Sequence, residues 1–290
     1  MKTLKIFLLL LFSLGLTFTS CETDNKDEPT NYQETINLSS AGSLSTALTT
    51  IKLSTIIDLT ITGNIDSRDF KTMRDNMPSL AVIDLSGATI VAYTGTEGTN
   101  LEATSPANTI PNQALNGSIG LTSITLPASA TAIGEYAFTG CRSLKSITIP
   151  SSVTTIGMYA FQDCMSLSSL TMPSSLTSIA CAAFANCRSL TTLTLPEGLI
   201  NIDIQAFSGC ESITSLTIPS TVTFIGSNSF GGFVNLTSIY CHITNPAIFT
   251  AVDRFYSVNK TTCALYVPIG SLSLYQAEVN CKTFTYIFGM

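Results

Sequence analysis

Tryptophan is absent from this 290-residue chain, histidine occurs once, and only 11% of the residues are charged. Each shortage closes off a class of function. With His242 as its sole imidazole, the chain cannot furnish a histidine-rich metal site, and a Ser-His-Asp arrangement would hang on that one residue. His242 also falls where the preceding block of the sequence has Pro219, directly after a strand, which is a structural position. Thirteen Lys and Arg against 19 Asp and Glu give a net charge of −6. With no basic stripe, nucleic acid is not a partner. No Gly-rich phosphate loop follows a strand. The carboxylates of the regular region, Glu135, Asp163, Glu197, Asp203 and Glu211, sit at mismatched offsets. No enzyme activity, cofactor or metal is expected.

What the chain does have is a period. Five consecutive 23-residue blocks begin at Leu121, Leu144, Leu167, Leu190 and Ile213; the first reads LTSITLPASATAIGEYAFTGCRS. A fixed period of this length without insertions marks a solenoid in which each block is one coil. Leu121, Ile124 and Leu126 alternate as a short strand with one buried face. Pro127, Pro150, Pro173, Pro196 and Pro219 end it, because proline cannot donate to the next ladder bond. Ile133, Ala137, Phe138 and Cys141 form a second apolar group, whose spacing suits a short helical or 3-10 turn on the opposite side of the coil. Gly134, Gly157 and Gly226 follow the isoleucine, where a turn is expected. Stacking then gives a phenylalanine column (Phe138, Phe161, Phe184, Phe207, Phe230) beside an alanine column that ends in Ser229. One block alone buries too little to fold, so caps are required at both ends.

The pattern LxxIxLPxxxxxIGxxAFxxCxS resembles the BspA-like (Treponema pallidum-type) leucine-rich repeat surface proteins, strongly over about 135 residues. Leu80-Ala-Val-Ile-Asp-Leu-Ser-Gly-Ala resembles the family's lead-in, and Leu265-Tyr-Val-Pro-Ile-Gly-Ser with Tyr275 its closing segment. Related chains often carry a tryptophan near that end, which this one lacks. The implied fold is an α/β solenoid, a leucine-rich repeat array in which each block makes one coil. It has a parallel sheet on one face and short helical or 3-10 turns on the other, and is capped at both ends.

The expected organisation is a signal peptide over 1–20, an acidic tether over 21–34, a strand-helix-strand cap with an inserted loop over 35–105, repeats over 106–243 and a C-terminal cap over 244–290. Lys2 and Lys5 precede an apolar run, Ile6 to Leu16, too short to span a membrane. Phe18-Thr19-Ser20-Cys21 resembles the looser lipobox of Bacteroidetes lipoproteins, which makes Cys21 the lipid attachment site; an ordinary secretory peptide is the alternative. Lys26-Asp27-Glu28 resembles an acidic surface-export tag, or is simply solvated linker. An outer-membrane lipoprotein exposed at the surface is the expected address. In the N-terminal cap, Leu59-Thr-Ile-Thr-Gly and Leu80 to Leu85 read as strands. Ser67 to Met77 reads as a helix capped by Ser67 or Asp66. The C-terminal cap reads as a Tyr266-Val267 strand, a Ser271-to-Ala277 helix and a final strand near Phe284 to Ile287.

Of nine cysteines, Cys141, Cys164, Cys187 and Cys210 form a column and read as buried small hydrophobes. Cys241 reads as packing, Cys181 as an exposed free thiol, and Cys263 with Cys281 as a conceivable bridge. The outward strand face carries columns of threonine (Thr125, Thr148, Thr171, Thr194, Thr217) and serine, without the aromatic or arginine anchors that dominate interfaces. Aromatics beyond the core lie on the turn side (Tyr136, Tyr159) and in the C-terminal cap (Tyr240, Phe255, Tyr256, Tyr275). The candidate binding surface is therefore Tyr136, Tyr159, Tyr240 and Tyr256. The resemblance implies adhesion to host matrix or other cells through surface proteins. The alternative is glycan capture or a scaffold within a polysaccharide-processing system, which the lack of tryptophan disfavours.

Overall fold

A computed structural model describes residues 32–99, 104–249 and 253–290. The signal segment, Cys21 and the tether up to residue 31 lie outside the described residues. Within them, the repeat length becomes the sheet register. Ser146, Ile147 and Thr148 pair in parallel with Ser169, Leu170 and Thr171, and Ser215–Ile218 pairs with Ser238–Cys241. Thr194 bridges to Thr217, and the strand face is divided between Ser169–Thr171 and Ser215–Ile218 into a six-stranded and a four-stranded parallel sheet. Because neighbours are one repeat apart, every sequence column is a spatial column. Each proline after the strand opens a tight turn: Ala130 N–H donates to Pro127 O, Val153 N–H to Pro150 O and Leu199 N–H to Pro196 O.

The far side of the coil is built differently from a helix. Two-residue strands, Ala132–Ile133, Thr155–Ile156, Ser178–Ile179, Asn201–Ile202 and Phe224–Ile225, stack into a second parallel sheet that Thr109–Ile110 begins. Beyond it the chain turns through isolated i→i−3 bonds such as Ala137 N–H to Gly134 O and Cys141 N–H to Phe138 O. The remaining amides bond to the next coil: Tyr136 N–H donates to Met158 O and Phe138 N–H to Ala160 O. Inter-coil bonding replaces the intra-coil bonds a helix would use. That geometry requires two left-handed residues per coil. Gln113, Tyr136, Tyr159, Ala182, Gln205 and Asn228 form one such column, with φ between 50° and 59°. Gly117, Gly140, Asp163, Asn186, Gly209 and Gly232 form the other, which explains its restriction to Gly, Asp and Asn. Gly157 and Gly226 serve close approach instead: a Cβ would sit 2.7 Å from Glu135 N and 2.3 Å from Ile204 N, respectively.

The core is a stack of flat rings. Phe138, Phe161, Phe184 and Phe207 lie 5.1–5.5 Å apart with interplanar angles of 8° or less. Phe230 and then Phe255 extend the column. The cysteine column is fully buried, and each thiol also donates to a carbonyl of the preceding coil: Cys164 Sγ to Phe138 O, 3.2 Å, and Cys187 Sγ to Phe161 O, 3.3 Å. Burial holds the Cys141 thiol up at about 12. Cys263 and Cys281 are buried free thiols.

The ends prove to be coils too. Tyr32–Leu38, Ile56–Ile65 and Val82–Ile90 are parallel rungs of the same main sheet, so the first strand begins before residue 35. Their register sets Tyr32 against Ile56 and Ile36 against Ile61. That step is slightly longer than the repeat and changes within one strand, so the period is blurred. Two short helices, Leu44–Ala47 and Thr50–Thr55, fill the first of these coils. The third helix runs Ser67–Asn76, and its cap is Asp66, whose carboxylate accepts from Arg68 N–H while Asp69 accepts from Asp66 N–H. Asp69 also accepts from Gly42 N–H and Leu44 N–H, tying two coils together. Arg74 donates to both Thr99 O and Gln113 O at 2.8 Å, anchoring the inserted loop. That loop contains the antiparallel pair Tyr93–Thr94 and Thr104–Ser105.

At the other end Ala264–Val267 and Tyr286–Gly289 add the last rungs, with the helix Leu272–Ala277 between them. The final strand starts beyond Phe284 because Phe284 turns inward, edge-on to Phe255 at 5.9 Å.

Candidate binding surface

The four aromatic residues singled out from sequence fall on two faces. Tyr136 and Tyr159 stack at 4.9 Å and 14° on the turn side, half-buried, in the left-handed column. Cys181 lies against Tyr159 and raises its phenol above the ordinary value; the thiol itself is half-buried. Tyr256 is two-thirds exposed (66%), and its carbonyl accepts from Gly232 N–H, so it too lies on the turn side. Four coils separate it from Tyr159, roughly 19 Å at strand spacing. These three residues do not make one patch.

Tyr240 stands on the strand face, in register with Thr217. The register continues from Tyr240 to Tyr266 and from Tyr266 to Phe288. The threonine column thus becomes an aromatic ladder in its last three rungs. Tyr240 and Tyr266 stack at 4.8 Å and 9°, and Tyr266 and Phe288 follow at 5.4 Å. Tyr286, one column over, adds a fourth ring 6.3 Å from Phe288. Tyr240, Tyr286 and Phe288 are 37%, 48% and 46% exposed, a contiguous apolar strip on a face otherwise of Ser and Thr. Tyr266, Tyr286 and Phe288 escape a sequence reading because the rungs there are unevenly spaced. The step from Tyr240 to Tyr266 is longer than the repeat, and that from Tyr266 to Phe288 is shorter. The signal available was their phase with Thr217. Phe255 and Tyr275 are core residues. The Tyr275 hydroxyl donates to Ile243 O at 2.8 Å and lies 3.2 Å from Cys241 Sγ.

The ladder's geometry limits its chemistry. Neighbouring rings cover one another's faces, which leaves a free ring face only at the two ends of the row, on Tyr240 and Phe288. A flat sugar needs a free ring face, whereas a protein surface can bury ring edges and use the tyrosine hydroxyls. His242 is exposed at the end of its rung. Among the described residues no cluster of three or more His, Cys, Asp or Glu is placed to hold a metal ion.

Parallel rungs, buried repeat columns and paired caps define a leucine-rich-repeat solenoid. The sequence profile described as BspA type leucine rich repeat region matches six copies over residues 92–250, more than half of the chain. The chain belongs to that family, whose repeats serve protein–protein interaction in general and are not generally catalytic. Among solved structures, similarity extends to a leucine-rich repeat protein of T. pallidum: 27% identity, 50% of this chain and 69% of that one, TM-score 0.41. It extends also to one from Bacteroides ovatus: 19% identity, 73% of this chain and 56% of that one, TM-score 0.42. A leucine rich cell surface protein from Faecalibacterium prausnitzii is 20% identical over 78% of this chain and 82% of its own, TM-score 0.30. No match is found among curated proteins.

Proposed function

We propose that this protein is a lipid-anchored surface receptor that holds a partner protein, of host matrix or of another cell, against the ladder Tyr240, Tyr266 and Phe288. The observation that carries the reading is the change of one outward column from threonine to aromatic over three successive rungs. Aromatic side chains clustered on a rigid sheet supply large contact area at small entropic cost, as interface anchors do. The lipobox-like Cys21 supplies the attachment, and the acidic stretch behind it the reach. A single acyl chain holds a protein to membrane only marginally, so the several chains that bacterial lipoproteins carry on one cysteine account for stable anchoring.

Two measurements test the reading. Binding of the full chain to immobilised matrix proteins and to intact cells should fall at least tenfold in a Tyr240→Ala, Tyr266→Ala double variant, while Tyr136→Ala with Tyr159→Ala leaves it unchanged. Equal binding by all three proteins refutes the ladder as the contact. Cys21→Ser should abolish palmitate incorporation and move the protein to the soluble fraction; full retention in membranes refutes the anchor.

A further inference from the structure

The strand face of the solenoid has two ends, and their outermost strands are built differently. At the first, Tyr32–Leu38 carries Glu34, paired with Lys52 at 3.1 Å, and a register irregularity between Tyr32 and Gln33. Charge and bulge are the devices by which a sheet edge is kept from pairing with another strand. At the last, Tyr286–Gly289 has neither. It is the outermost rung of its sheet among the described residues, and no charged side chain or proline occurs from Thr283 to Met290. Met290 N–H donates to Val267 O and Met290 O accepts from Ile269 N–H. Backbone groups of a strand alternate in direction, so the amides and carbonyls of Ile287 and Gly289 point away from the sheet. Exposed Ile269, Tyr286, Phe288 and Met290 surround this edge.

We infer that a second copy of this chain pairs here, antiparallel about a two-fold axis through Phe288, to make a symmetric dimer with one continuous sheet. Three observations select a second copy. First, Ile287 and Gly289 both face outward, so two copies can exchange hydrogen bonds between Ile287 of one and Gly289 of the other. Second, that register sets Phe288 against Phe288, a close non-hydrogen-bonded pair on the ladder face. The two aromatic ladders then join end to end. Third, the chain is acidic overall, with net charge −6; repulsion between two copies is least where acidic side chains are missing, as they are along this edge. The interface is isologous and closes at two subunits. It shares Phe288 with the contact proposed above and leaves the outward sides of Tyr240 and Tyr266 open, so the Tyr240→Lys variant separates the two.

The test is the mass of the full chain in mild detergent by native mass spectrometry, across protein concentration. A protein mass twice that of one mature chain is expected. Phe288→Lys puts like charges together at the axis and should weaken association at least about tenfold. Tyr240→Lys, two rungs inside the edge on the same column, should leave the dimer intact. Circular dichroism checks that each variant is folded, and Tyr286→Lys replaces Phe288→Lys if that one is not. A wild-type monomer overturns the inference. So does a dimer that survives both edge variants, or one that Tyr240→Lys breaks equally.

Discussion

Phe184 occupies the middle of the ring column, fully buried, with Phe161 5.1 Å away on one side and Phe207 5.5 Å away on the other, both within 6° of parallel. Truncation to alanine removes the ring from a coil whose backbone is fixed by hydrogen bonds to both neighbours, Phe184 N–H to Ala206 O and Phe161 N–H to Ala183 O. The site therefore cannot collapse around the loss. Buried Phe→Ala changes cost about 3–5 kcal/mol. Two ring contacts, at about 0.5–1.5 kcal/mol each, place Phe184→Ala at the upper end of that range. Phe184→Leu keeps most of the volume and loses the stacking, so about 1–2 kcal/mol is expected. Phe224, 49% exposed on the same side of the solenoid, is the comparison: Phe224→Ala should stay within about 0.5 kcal/mol. Equilibrium urea unfolding followed by circular dichroism reads all three. A Phe184→Ala cost below about 1.5 kcal/mol, or one equal to that of Phe224→Ala, would show that the column relaxes and that the stacking argument is wrong.

Ala182 holds φ at 50° while buried; the strain glycine would relieve, about 1–2 kcal/mol, is offset by its unfolded freedom and the lost buried methyl, so Ala182→Gly should leave the urea-unfolding free energy within about 0.5 kcal/mol of wild type although it empties a core position. Asp69→Ala leaves the amides of Gly42, Leu44 and Asp66 without their acceptor and should cost about 3 kcal/mol or more, with hydrogen exchange accelerating first in residues 42–48 and 66–69. Burial holds Cys141 at about 12 and Cys241 at about 11, against an ordinary 9.0. The folded state keeps protons that the unfolded chain has released, so this stability is complete below pH 9 and is lost progressively as pH rises from 9 toward those values. Unfolding free energies from urea titrations at pH 8, 9 and 10 should fall by roughly 1 kcal/mol per buried thiol by pH 10, and a flat profile contradicts the assignment.

The identity of the solenoid was written in residues 121–235, because a coil that stacks on copies of itself must repeat its apolar positions at the length of the coil. That fixed the register in advance: Thr148 beside Thr171, Phe161 beside Phe184. The turn side was only half legible. Isoleucine-to-alanine spacing is compatible with a helical turn, and the choice of a second sheet rests on amides such as Tyr136 N–H reaching Met158 O in another coil, a bond that no local pattern encodes. The terminal coils were hidden for a related reason. A cap contacts the array on one side only, so its rungs can fall at steps longer or shorter than the repeat, as from Tyr32 to Ile56 or from Tyr266 to Phe288. Periodicity is then lost while register is kept. The aromatic ladder belongs to this second kind of information. Tyr240, Tyr266 and Phe288 are unremarkable as a sequence, and strand pairing alone lines them up in one exposed row. Repeated burial sets composition and so is visible in the chain, whereas which outward side chains become neighbours is decided by backbone hydrogen bonds across coils of unequal length.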